Sequence, residues 1–434
     1  MTRQMKDSGV EWIGEIPEDW SVLRIKNVAK LYNGNSISDD EKAKYEDSEN
    51  AIPYIATKDI DSLHKIDYTN GMYVKTDQLQ NFKVALENSV LMCIEGGSAG
   101  IKKARLNQDV CFVNKLCCFT PNRINGNYLY YFLNSPNFED HFKSKLSGLI
   151  SGVSISELKT MNCVFPSLSE QKKIASFLDD KCNAIDEIIA KTEQSIEEYK
   201  KLKQSVITEA VTKGIRPNRK MKDSGIAWIG EIPEDWQIAK LKKISLLITD
   251  GAHVSPETEN GVYDFVSTVD VKQDNIDFEN CLKTSIESYN KLVKNKCKPK
   301  IGDILISKDG TVGKTVVVNY EREFIVASSL VIIRLFNVYN QYFINYVLKS
   351  NIVQEQLNMF MKGAGLKRVS VENNKKLNVV IPSKEEQKEI ADYLDQKCAE
   401  IDDLIEKKQQ FLTELATYKK SLIYEYVTGK KEVV

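Results

Sequence analysis

The segment Lys308-Asp309-Gly310-Thr311-Val312-Gly313-Lys314-Thr315 holds residue types suited to phosphate. Glycines let backbone N–H groups come close to an anion, and lysines add charge. It is not a P-loop, because the position that motif gives its first glycine is Lys308. An earlier, looser counterpart is Glu95-Gly96-Gly97-Ser98-Ala99-Gly100, followed by Lys102, Lys103 and Arg105. In both, a strand-like run ends in a Gly-rich loop with basic residues, a pattern that fits phosphate contact and equally fits a tight hairpin. The run Lys291, Lys294, Lys296, Lys298, Lys300 reads mostly as solvated surface with some phosphate contact. Gly363-Ala364-Gly365-Leu366-Lys367-Arg368 is a further basic loop, and its counterpart at 148–152 lacks the basic pair.

No catalytic set is legible. There is no N/D-P-P-Y/F segment of an amino-methyltransferase and no F-x-G-x-G loop for S-adenosylmethionine. His64, His141 and His253 lie in unrelated contexts, so no Ser/His/Asp or Cys/His arrangement can be read. The nine cysteines contain no C-x-x-C pair, which leaves no zinc pattern and points to buried, reduced thiols. We expect no catalytic residue and no metal site. With 42% hydrophobic and 28% charged residues the chain is of ordinary globular composition. It has no apolar run long enough to span a bilayer and no secretory signal at its start, so a cytoplasmic location is expected. A net charge of −1 neither favours nor excludes nucleic acid, since distribution decides.

Two long helices must position these loops. Residues 166–214 carry a heptad seam through Leu178, Cys182, Ile185, Ile189, Thr192, Ile196, Tyr199, Lys203, Val206 and Ala210, with charged residues between. Residues 382–434 repeat it through Leu394, Cys398, Ile401, Ile405, Lys408, Leu412, Leu415, Lys419, Leu422 and Tyr426, each displaced by 216. The polar interruptions recur too, Thr192 with Lys408 and Lys203 with Lys419. Such residues fix a helix register at some cost in stability. A helix this long and thinly apolar wants a partner helix, and its repeat supplies one.

The short segment MKDSGVEWIGEIPEDW (5–20) returns as MKDSGIAWIGEIPEDW (221–236), identical at 14 of 16 positions, so the chain is a tandem duplication. Gly, Pro and paired tryptophans read as a turn-rich docking segment. Trp12, Trp20, Trp228 and Trp236 are expected to pack on their own domains, or to join the halves or a partner. The bodies between, 21–165 and 237–381, have diverged much further. Strand-like runs fall at 90–94, 110–113 and 116–120 in the first, and at 304–307, 315–319 and 324–335 in the second. One helix is expected in each, at 128–146 and 342–361, then V-S-I/V (Val153-Ser154-Ile155, Val369-Ser370-Val371) and a last strand. The second body has 20 Lys plus Arg against 15 Asp plus Glu, the first 17 against 16, so a cationic face in the first must come from arrangement. Constant frames around different bodies suggest that the bodies carry specificity for two targets.

The duplicated W-I-G-E-I-P-E-D-W segment, the P-S-x-x-E-Q-K-x-I-A-x-x-L-D-x-K-C-x-x-I-D segment at 166–186 and 382–402, and I-L-I-S-K-D-G-T-V-G-K at 304–314 together resemble specificity subunits of type I restriction-modification enzymes. The resemblance spans essentially the whole chain. It implies an α+β fold with two globular target recognition domains in pseudo-twofold arrangement, joined by two long antiparallel helices as a coiled-coil spacer. The domains would be 1–165 and 215–381, the spacer helices 166–214 and 382–434. Each recognition domain would read one half of a bipartite double-stranded DNA site, and the helices would set the gap; half-sites about one duplex turn, roughly 34 Å, apart lie on one face. Partners implied are DNA methyltransferase subunits, two of them, and restriction/translocase subunits. S-adenosylmethionine, ATP and Mg²⁺ would then sit on those partners. Candidate DNA contacts are Lys58, Lys102, Lys103, Arg105, Lys308, Gly310, Thr311, Lys314, Lys367 and Arg368; the spacer seam is represented by Leu178, Ile185, Ile189, Ile196, Leu394, Ile401, Ile405 and Leu412. The alternative is a non-catalytic, two-headed protein-binding scaffold.

Overall fold

A computed structural model describes residues 3–147, 151–253, 257–258, 261–272, 274–361 and 367–433. The chain forms two compact units, Met1–Glu193 with Gln409–Val434, and Gln194–Lys408. Each unit holds one body and part of both long helices, Leu168–Lys213 and Lys384–Val427.

In unit 1 an antiparallel sheet runs Ala29–Asn33, Leu116–Pro121, Val90–Cys93, Lys103–Arg105. A second sheet orders Tyr73–Lys75, Ala51–Ile55, Val110–Phe112, Val84–Ala85, with its middle pair parallel. Unit 2 repeats the plan: Ser245–Asp250, Leu330–Leu335, Ile304–Ser307, Thr315–Val317 form the first sheet. Leu282–Thr284, Tyr263–Val266 and Phe324–Val326 form the second, again with a parallel pair. Pairing registers give residue-by-residue equivalence: Val90 opposes Arg105 as Ile304 opposes Val317, and Phe119 opposes Val90 as Ile333 opposes Ile304. Where the chain passes between sheets, both units use a glycine. A Cβ on Gly34 would lie 1.8 Å from the Phe112 carbonyl oxygen, and one on Gly251 2.0 Å from that of Val326.

The single helix expected in each body is two. Gly126–Leu133 and Pro136–Ser144 are separated at Ser135, which caps the second while Pro136 fills its first turn, where the missing N–H costs nothing. Gln341–Lys349 and Asn351–Met361 break at the buried Ser350. The run 324–335 is likewise two strands, Phe324–Val326 and Leu330–Leu335, in different sheets. In the V-S-I/V segments, Ser154 and Ser370 are N-caps of short helices, accepting from the N–H groups of Glu157 and Asn373. The duplicated Trp segment opens with a small hairpin, Met5–Asp7 on Glu15–Pro17 and Met221–Asp223 on Glu231–Pro233.

Within each unit the long helices pack antiparallel. In unit 1 Phe177 meets Tyr426 (ring centroids 4.4 Å apart), and the Lys419 ammonium donates to both Asp186 oxygens at 2.6 and 2.7 Å. In unit 2 Lys203 donates to Asp402 at 2.6 Å, and Lys408 lies 5.6 Å from the Tyr199 ring centroid. The seam lysines thus meet the aspartates that the repeat makes equivalent, which pins the register. Leu178, Ile185, Ile196, Leu394 and Ile401 are buried, and Ile189, Ile405 and Leu412 half-buried. All nine cysteines are buried and unpaired. Among the described residues, no helix is long and apolar enough to cross a membrane, and no group of three or more His, Cys, Asp or Glu could hold a metal ion.

Candidate nucleic-acid interface

The frame that carries the loops is fixed by one carboxylate per unit. In unit 1 Glu170 accepts from the Arg3 guanidinium (2.6 Å) and from the indole Nε1 of buried Trp20 (3.1 Å), while Arg3 also donates to Asp19. In unit 2 Glu386 accepts from Arg219 and from Trp236 Nε1 (2.9 Å), and Arg219 donates to Asp235. Partial burial would raise the Glu170 carboxyl, but the hydrogen bonds from Arg3, Trp20 and Ser167 outweigh it and hold it below the usual carboxylate range. The neighbouring glutamine ties the helix start to the body: the side-chain oxygens of Gln171 and Gln387 accept from the N–H groups of Asn125 and Asn340. These contacts account for the E-Q pair and the second tryptophan of each repeat. The arginines were missed although the signal was there, since Arg3 and Arg219 are also 216 apart, just ahead of the obvious match. The other tryptophans differ: Trp12 stacks on His141 at 4.6 Å, whereas Trp228 is exposed.

Two basic residues chosen from sequence as DNA contacts are interior. Lys103 is fully buried, its ammonium donating to the Leu133 carbonyl (2.9 Å) and Glu139 (2.7 Å). Burial lowers its pKa against the pull of Glu139. Lys308 is 2% exposed and donates to Asp250 at 2.7 Å. Burial would raise Asp250, but the Lys308 hydrogen bond holds it low. Neither ammonium is offered to a surface ligand. Their burial follows from the strand register, which no local pattern announces.

Three more are engaged at the surface. Arg105 pairs with Asp179 (2.8 Å) beneath the Tyr130 ring, Lys102 donates to the Thr57 carbonyl (2.8 Å), and Arg368 pairs with Asp309 (3.0 Å). Lys58, Thr311 and Lys367 are exposed; Gly310 has a positive φ of 72°, which glycine supplies without strain. Lys314 is half-buried, its ammonium 3.4 Å from the Val271 carbonyl. The Gly-rich loops spend much of their backbone internally: Gly313 N–H donates to Ser307 O, Lys314 N–H to Ser307 Oγ, Gly96 N–H to Ser151 O and Gly100 N–H to Cys93 O. Residues 148–150 and 362–366 lie outside the described residues. In the basic run, Lys298 is paired with Glu323 at 2.5 Å, while Lys291, Lys294, Lys296 and Lys300 are exposed with no ion pair among the described residues. Unit 1 likewise exposes cations with no ion pair among the described residues, including Lys26, Lys30, Lys65, Lys83 and Lys115.

A constant frame holding two bodies of one topology but different surface chemistry defines a duplicated recognition scaffold. A family model described as the type I restriction modification DNA specificity domain matches residues 17–198 and 233–414, so the chain belongs to this family of DNA specificity subunits and carries the domain twice. It is 27% identical over 408 residues to the type I restriction enzyme MjaVIII specificity subunit of Methanocaldococcus jannaschii, covering 87% of this chain and 86% of the relative. To the EcoBI specificity subunit of Escherichia coli it is 22% identical over 410 residues, covering 91% and 82%. A solved structure described as the structural basis of complex assembly and conformational transition of the type I R-M system shares the fold, with a TM-score of 0.72 at 16% identity over 96% of this chain and 99% of that one. The two-headed protein-binding scaffold finds no support in these relatives.

Proposed function

We propose that each body reads one half of a bipartite DNA target, and that the long helices set the separation of the halves and dock methyltransferase subunits. The observation that carries this is the double family match, one domain on each body. Two readers on one scaffold bind as a single ligand, which raises the effective concentration of the second contact. Phosphate contacts from exposed lysines supply affinity and side chains at base edges supply selectivity. The helices leave apolar side chains exposed, Phe411 and Tyr418 seven residues apart in unit 1 and Leu202 and Leu404, one on each helix, in unit 2, which suits a partner helix. Two methyltransferase subunits and restriction/translocase subunits complete the assembly, in the cytoplasm. S-adenosylmethionine, ATP and Mg²⁺ act on those partners, and this chain performs no catalytic step.

The purified complex with its methyltransferase should modify one bipartite sequence; modification without sequence preference would end the proposal. Lys314→Ala should weaken DNA binding and lower the salt slope by about one, whereas an unchanged slope removes that lysine from the phosphate contacts. Inserting four residues into Leu168–Lys213 should change the tolerated gap between half-sites. A fixed gap would show that the helices do not measure it.

A further inference from the structure

In unit 1 the Arg105 guanidinium occupies a built site. It pairs with Asp179, lies 5.0 Å from the Tyr130 ring centroid and 5.7 Å from that of Tyr131, and Tyr131 donates its hydroxyl to the same Asp179 at 2.7 Å. The strand register makes Val317 the counterpart of Arg105 in unit 2. The caps Asn125 and Asn340, each held by its glutamine, align the helices so that Tyr346 matches Tyr131 and Asn345 matches Tyr130. Tyr346 donates to Asp395 at 2.7 Å, as Tyr131 does to Asp179. The carboxylate and phenol are retained, but the guanidinium is not.

A cavity of about 290 Å³ lies there, lined by Val317, Tyr342, Asn345, Tyr346, Lys349 and Asp395 among others. That is far more than a water's share of roughly 30 Å³. Asn345 is 7% exposed, and its side-chain oxygen has no hydrogen-bond donor among the described residues. A buried acceptor without a donor is costly, so the site asks for a ligand that donates. The two ammonium groups nearby are already engaged: Lys349 pairs with Asp274 and lies 5.5 Å from the Tyr346 ring centroid, on the ring but not on Asp395, and Lys203 pairs with Asp402. Among the described residues Asp395 has no cation paired to it, and it is exposed where Asp179 is half-buried. A carboxylate, an orphan amide oxygen and tyrosine rings in one pocket fit a planar cation with several donors.

We infer that this cavity of unit 2 binds a guanidinium group supplied from outside the chain, at the place its twin fills with Arg105. The group is an arginine side chain of a bound protein or a small arginine-like molecule; both present the same planar fork. The test titrates N-acetyl-L-arginine amide into the full chain, followed by calorimetry and by NMR of labelled tyrosine, with N-acetyl-L-citrulline amide as the neutral isostere. Saturable binding of the arginine probe, at least tenfold tighter than the citrulline probe, is expected. Val317→Arg, which tethers a guanidinium in the site, should weaken probe binding at least tenfold. Asp395→Asn should do the same by removing the carboxylate, and it keeps the question decidable should Val317→Arg misfold. Equal binding of the two probes, no saturable binding, or undiminished binding by a folded Val317→Arg or Asp395→Asn chain would overturn the inference. Repeating the titration on the complex with methyltransferase separates the sources: a blocked site assigns it to a partner's arginine, an open one to a small molecule.

Discussion

Unit 1 buries a lysine at position 103 and pairs it with Glu139; unit 2 has Thr315 and Gln354 at the equivalent places, and Gln354 Nε2 donates to the Leu348 carbonyl where Lys103 donates to that of Leu133. The trade runs the other way nearby. Unit 2 buries Lys308 with Asp250, where the register of unit 1 sets Ile94 and Asn33. Ser89 and Thr120 share a hydroxyl hydrogen bond at 3.2 Å in unit 1, while unit 2 has Asp303 and Arg334 joined at 2.8 and 2.6 Å. Arg105 is exchanged for Val317. The frame contacts of Glu170 and Glu386, by contrast, match residue for residue. The fold therefore tolerates wholesale exchange of polar groups between strands as long as each buried charge keeps a partner; the neutral Thr315 hydroxyl that stands in for Lys103 has none among the described residues. This freedom lets two bodies of one topology present different surfaces.

The largest effect should come from breaking one pair without its exchange. Glu139→Ala leaves the Lys103 ammonium buried and unpaired, which should destabilise unit 1 by about 3–5 kcal/mol in urea unfolding. The double change Lys103→Thr with Glu139→Gln, which installs the unit 2 solution, should cost at most about 1–2 kcal/mol. If the two cost the same, the exchange view is wrong. Next, Arg105→Val should lose about 1–2 kcal/mol, whereas Val317→Arg, which gives up a buried valine, should cost less than the roughly 3–5 kcal/mol of an uncompensated buried charge in thermal unfolding, because its counter-charge Asp395 is in place. A severe loss in Val317→Arg would mean the two sites are not equivalent.

The smallest effect concerns the frame, where the units should behave alike. Glu170→Gln weakens a partly exposed hub and should cost about 1 kcal/mol. The folded pKa of Glu170 lies below its ordinary 4.5, so its contribution is fully present above that value and is lost as pH falls through the folded value. The gap between wild type and Glu170→Gln in a pH series of unfolding curves should therefore close in acid. A gap that widened in acid would contradict the assignment of Glu170 as an ionised hub.

The frame was legible because duplication exposes it. Identical segments 216 residues apart announced the helices, the seam lysines and the tryptophans, and a longer comparison would have added Arg3 and Arg219. The central body strands were legible from β-branched runs, whereas Ala29–Asn33, Ala51–Ile55, Ser245–Asp250 and Tyr263–Val266, which mix polar and apolar residues, were not. The helix break at Ser135-Pro136 was missed because apolar spacing continues through it, although a serine followed by proline at the first helical turn is a start signal. The interior lysines were not legible. Whether Lys103 or Lys308 meets solvent depends on which residue the sheet register sets beside it, and that partner is far away in sequence: Glu139 for one, Asp250 for the other. Basic residues after a glycine loop therefore include internal ion-pair partners along with surface cations.

If two independent readers share one chain, either should be exchangeable without the other. The most direct measurement is sequencing of methylated sites in cells that express this chain with its methyltransferase, in cells without it, and in cells whose chain carries another family member's body in place of residues 21–165. Expected are one bipartite methylated motif that depends on the chain, and a swap that changes one half of the motif and leaves the other half intact. A motif with no dependence on the chain, or a swap that alters both halves, would contradict two independent readers.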